Sequence, residues 1–167
     1  VGGDDNGKLI LDQLKKENVV TDFMQTVSDK KTNYHYVLWY KDDRTILIKH
    51  EEYTPVLPAI GEPKWMYLSS LGKHTLPFHH EIASYVKEHP NIKLAFQPGT
   101  FQLGFGEEIS ELYKMTEVVC MNKEEAEGLL ADAEKKLSDA IKCGDMCTVS
   151  IASGLLEVGR KRIAQAN

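Results

Sequence analysis

Between Lys64 and Ile141, short β-rich runs alternate with helix-patterned stretches, and this alternation constrains the fold more than any other feature. Residues 65–71 read as a buried strand. Residues 76–89 read as a helix carrying Ile82, Ala83, Tyr85 and Val86, stopped by Pro90 and Asn91. The pattern continues with a strand over 92–96, a helix over 107–115, a strand over 118–121 and a helix over 123–141. Strands and helices at this spacing predict βαβ units in a parallel sheet with right-handed crossovers. A chain of 167 residues, 42% hydrophobic and 27% charged, has the composition of a globular protein. At this length it can bury about 70% of its unfolded surface.

The front of the chain has another character. Residues 1–7 form a glycine- and aspartate-rich turn, and Ile10, Leu11 and Leu14 then fall at helical spacing. Residues 19–27 read as a short strand. Residues 34–40 and 45–50 are β-rich and flank Lys41-Asp42-Asp43-Arg44, a turn composition, which predicts a hairpin. The stripe of Tyr34, Tyr36 and Tyr40 reads as strand packing. Pro55, Pro58, Gly61 and Pro63 mark a boundary, giving three segments: 1–18, 19–54 and 64–167.

Charge and cysteine content narrow the function. A formal charge of −5 argues against a nucleic-acid partner, which calls for a basic face. With no run of 18 apolar residues and no leader pattern, the expected setting is cytoplasmic, away from the membrane. Three cysteines make no disulfide framework. Val1 opens the chain inside what reads as a motif, so the expectation is a piece of a longer protein.

Ligands of open parallel sheets bind beyond the carboxyl ends of the strands. Those ends are Ser69-Ser70, Gln97-Pro98-Gly99-Thr100 and Asn122 before Lys123-Glu124-Glu125. Asn122 and Glu125 have the spacing of a helix cap and its partner. An amide and a carboxylate there can equally serve a hydrated Mg²⁺ beside a phosphate. Residues 99–106 (GTFQLGFG) lack a following Gly-Lys-Ser/Thr and read as a strand-to-helix connection. His79 and His80 are adjacent on a helix and point apart, and Cys143 with Cys147 has no second ligand pair, so neither makes a metal site.

Three stretches carry a family resemblance. VGGDDNGKLILDQLKKENV resembles the Gly-Asp-x-x-Gly turn and helix of the ribokinase-like, PfkB-type sugar and nucleoside kinases. KWMYLSSLG, KLAFQPGT and EVVCMNKEEAE resemble three successive strands of that family's α/β body, the last with its Asn-x-x-Glu motif at Asn122 and Glu125. Residues 143–157 (CGDMCTVSIASGLLE) are similar to its C-terminal Gly-Ala-Gly-Asp motif and helix, although Lys142 and Cys143 stand where Gly-Ala is expected.

The resemblance implies a partial three-layer α/β sandwich of the ribokinase-like type, mainly parallel, with a small antiparallel β lid over residues 19–54. It implies ATP and Mg²⁺ as cofactors and a small sugar or nucleoside as substrate. Asp145 would be the general base, the backbone amides of Gly144 and Cys143 the anion hole, and Asn122 with Glu125 neighbours of Mg²⁺ and phosphate through water. The family's N-terminal substrate-binding segment and much of its nucleotide-binding region would be missing. The lid could pair with that of a second copy in a homodimer. The alternative is a non-catalytic binding or assembly module derived from such a kinase.

Overall fold

The computed structural model describes residues 1–143, which divide into two compact units, Val1–Ile60 and Gly61 onward. The first unit holds one helix and one hairpin: α1 (Asp5–Lys16), β1 (Tyr34–Tyr40) and β2 (Asp43–Lys49). Helix α1 starts where Asp4 caps it, its carboxylate accepting the Gly7 N–H at 3.1 Å. The same carboxylate accepts the Thr32 hydroxyl at 2.5 Å and the Thr32 N–H at 3.2 Å. The Thr32 hydroxyl is also an acceptor for the Gly2 N–H at 3.0 Å. These bonds, that of the Thr32 side chain first, hold the Asp4 carboxyl down to about 2. They join the root of the hairpin to the start of α1. Gly7 has to be glycine, because a Cβ there would come within 2.1 Å of the Gly2 carbonyl oxygen.

The hairpin pairs in antiparallel register from Tyr34 with Lys49 to Tyr40 with Asp43, and Lys41 in its turn takes a positive φ of 54°. Every residue of β1 is exposed, Trp39 at 66% and Tyr40 at 74%. The expected packing of the tyrosine stripe is therefore corrected. Tyr34 and Tyr36 meet each other edge to face at 5.3 Å but lie against no buried core. Residues 19–27 are not a strand either. Only an isolated bridge between Gly2 and Val27 forms, since no neighbouring strand among the described residues takes up the remaining backbone groups.

The second unit is built on a parallel sheet with the order β3 (Trp65–Leu68), β4 (Lys93–Phe96), β5 (Thr116–Val119). Helix α2 (Leu76–Glu88) connects the first two strands, and α3 (Thr100–Phe105), a 3₁₀ turn and α4 (Ser110–Met115) connect the last two. Helix α5 (Lys123–Cys143) follows. The mixed α/β architecture, with a parallel sheet and a separate small antiparallel one, is the expected class. Two details differ. Trp65 and Tyr67 are exposed on β3, which pairs on one side only among the described residues. Residues 99–106 contain helix α3 rather than a bare connection.

Strand β4 is central, and its Leu94 and Phe96 are fully buried with Ile82 and Val86 of α2 and Leu112 and Tyr113 of α4. His79 of α2 joins this core at 1% exposure, beside Phe96 and Phe105, while His80 is exposed. Its Nδ1 lies 2.7 Å from the Thr75 carbonyl, which can only accept, so Nδ1 carries the proton. Nε2 is buried with no partner among the described residues. Burial depresses the affinity of this imidazole for a second proton, and neighbouring His80 adds to the effect, against the Thr75 bond.

The folded-state pKa is therefore below the unfolded one. The stability tied to neutral His79 is whole above the ordinary imidazole range and is lost as pH falls through the lower folded value. The thermal midpoint should drop as pH falls below about 6.5, and His79→Gln should flatten that slope. Equal slopes in the two proteins would contradict the assignment.

Candidate functional site

Because the sheet is parallel, the chain leaves all three strands at one edge, although a bulge shifts the β4–β5 register between Leu94 and Ala95. Leu68 pairs with Phe96 and Phe96 with Val119, and the ladder extends by a Gln97 N–H to Leu68 carbonyl bond and a Cys120 N–H to Phe96 carbonyl bond. Ser69-Ser70, Gln97 to Thr100 and Cys120 to Asn122 thus gather beyond the carboxyl ends. The Tyr67 hydroxyl donates to Gln97 Oε1 on this edge.

Asn122 and Glu125 close the start of α5 as a reciprocal pair. The Glu125 N–H donates to Asn122 Oδ1 at 2.8 Å, and the Asn122 N–H donates to Glu125 Oε2 at 3.0 Å. Both residues also line an open cleft of about 420 Å³. Its other walls include Thr100 and Leu103 of α3 and Leu129 and Asp132 of α5. The cap occupies Asn122 Oδ1 and Glu125 Oε2, and leaves the Asn122 amide NH₂ and Glu125 Oε1 outside it.

The α3 wall is held by a residue that sequence patterning did not single out. Gln102 is fully buried, and its Nε2 donates to the Leu71 carbonyl at 2.9 Å. Its Oε1 accepts the Gly99 N–H at 3.2 Å and the Ser70 hydroxyl at 3.3 Å. Gly99 packs so closely on Ser70 that a Cβ there would lie 2.0 Å from the Ser70 hydroxyl oxygen.

Of the other expected site residues, Cys143 is the last residue of α5. Gly144 and Asp145 lie outside the described residues, as do Cys147 and the helix expected to follow. Among the described residues no cluster of three His, Cys, Asp or Glu side chains could hold a metal ion by itself, and no helix is long and apolar enough to cross a membrane.

The sequence model described as pfkB family carbohydrate kinase matches residues 1–151. The chain belongs to that family. The match takes in the Gly-Asp turn before α1, the hairpin, the parallel sheet and the Asn122–Glu125 pair, in one continuous stretch. It thereby joins two units of unlike composition in a single carbohydrate-kinase pattern. Comparisons with curated proteins and with solved structures gave no match.

Proposed function

We propose that the protein transfers the γ-phosphoryl group of ATP to a hydroxyl of a small sugar or nucleoside. The observation that carries this reading is the family match over residues 1–151, with Asn122 and Glu125 on a cleft at the carboxyl edge of the sheet. In the proposed reaction Asp145 takes the acceptor's hydroxyl proton. The acceptor oxygen bonds to the γ-phosphorus, the bond from that phosphorus to the bridging oxygen breaks, and ADP leaves. The backbone amide of Gly144 serves as a donor to the transferring group, whereas the Cys143 N–H, at the last position of α5, belongs to the helix's own bonds.

The donor set on the cleft suits a hydrated Mg²⁺. Such a cation takes oxygen ligands, keeps several waters and relies on substrate phosphates, so it needs no protein cage. Asn122 and Glu125 would hold it through water, with Glu125 Oε1 free of the cap. When bound, the ion neutralises charge on the phosphate oxygens.

The test, made on the full-length protein, is transfer of label from γ-labelled ATP to a panel of sugars and nucleosides, with and without Mg²⁺. Mg²⁺-dependent label in one acceptor class is expected, and none in any acceptor refutes the reading. Glu125→Gln separates cap from cation, because Gln can still accept the Asn122 N–H while the charge is gone. That variant should fold normally and need about tenfold more Mg²⁺ for half-maximal rate. An unchanged Mg²⁺ dependence would leave Glu125 as a cap alone.

A second copy of the chain is the proposed partner of the hairpin. Val37, Trp39, Ile46 and Ile48 share one exposed face in the observed register, and an unpaired ribbon of this kind invites pairing. Sedimentation should show a dimer that Trp39→Glu converts to a monomer. A monomeric unsubstituted protein would count against the pairing.

A further inference from the structure

We infer that Gln102 is a positioning residue: its buried amide clamps α3 to the loops after β3 and β4 and so sets the wall of the cleft opposite Asn122 and Glu125. This rests on the phosphoryl-transfer reading of that cleft. Gln102 itself is fully buried and touches no ligand space, but Thr100 and Leu103 beside it line the cleft. Its three bonds reach three different pieces of backbone and side chain: the Leu71 carbonyl, the Gly99 N–H and the Ser70 hydroxyl.

The arrangement is complete in the sense that both ends of the amide are used. The nitrogen faces a carbonyl, which can only accept, and the oxygen faces two donors. Turning the amide over would set an N–H against the Gly99 N–H, so one orientation is fixed. Helix α3 needs such a hold. It is six residues long and includes Gly104, too short and too glycine-bearing to be stable through its own backbone bonds. The close approach of Gly99 to Ser70 locks the same junction from the other side. A wall that shifts by about an ångström would misplace whatever it contacts, and misplacement on that scale is costly to phosphoryl transfer.

Gln102→Met keeps the volume of the side chain and removes all three bonds. Two readouts are required. Amide hydrogen exchange in residues 69–72 and 99–103 should quicken while β5 keeps its protection. The KM for Mg·ATP should rise about tenfold with the KM for the acceptor unchanged. Unchanged exchange overturns the clamp. Faster exchange with an unchanged KM for Mg·ATP overturns the positioning role and leaves a structural one. If Gln102→Met fails to fold, Ser70→Ala removes a single donor to the same oxygen and should move both readouts in the same direction, about twofold. Should the unsubstituted protein neither bind nor turn over Mg·ATP, the kinase reading fails and the positioning role with it, whereas the exchange measurement still decides the clamp.

Discussion

Asp145→Asn is expected to lower phosphoryl-transfer turnover by about 10²-fold or more, the usual scale for loss of a general base. The substitution preserves size and the ability to accept a hydrogen bond, so a residue serving only as a helix cap would tolerate it. The KM for Mg·ATP should stay close to that of the unsubstituted protein, because the proton is taken in the transition state rather than on binding. The measurement is kcat against pH for both proteins. Equal turnover would remove Asp145 from the proposed mechanism.

Phe96→Ala should destabilise the second unit by about 3–5 kcal/mol, the range for emptying an aromatic site in a core. Phe96 is fully buried on the central strand, with Tyr113 at 5.3 Å and His79 at 6.4 Å between ring centroids. The cavity would open between the sheet and two helices at once, leaving little room for local collapse. Against a typical total of about 5–15 kcal/mol, such a loss brings the fold near its threshold. Denaturant unfolding measures it, and Phe96→Leu should cost clearly less. A cost below about 1 kcal/mol would mean that the site relaxes around the vacancy and that Phe96 is not central to the core.

What the sequence made legible follows from the range of the interactions involved. The Asn122–Glu125 cap is an interaction over three residues, and its spacing was enough to anticipate both bonds. The strands of the parallel sheet announced themselves as short apolar runs between helical periods, and β4, with Leu94 and Phe96 buried on one face, did so most clearly. Helix α3 was hidden by Gly104 and Gly106, because the bonds that stabilise it come from Leu71 and Ser70, about thirty residues earlier. The Asp4–Thr32 contact was hidden for the same reason, spanning 28 residues. Residues 19–27 were misread in the opposite sense. Their β-branched composition suits a strand, but composition supplies no partner for the backbone, and Val20 and Phe23 remain exposed. The tail motif around Asp145 rests on resemblance alone, since it lies outside the described residues.

The order of strands in the parallel sheet is also their order along the chain. Among the described residues, β4 therefore docks on β3 and β5 on β4, each on the strand synthesised just before it. The loops to be closed run only from Leu68 to Lys93 and from Phe96 to Thr116, so the entropy lost in each closure is modest. The carboxyl edge grows in the same sequence. The Ser70 loop comes first, the Gly99 turn with Gln102 joins it, and the Asn122 cap arrives last. A nascent chain can thus assemble the cleft by successive addition, each wall laid against one already standing.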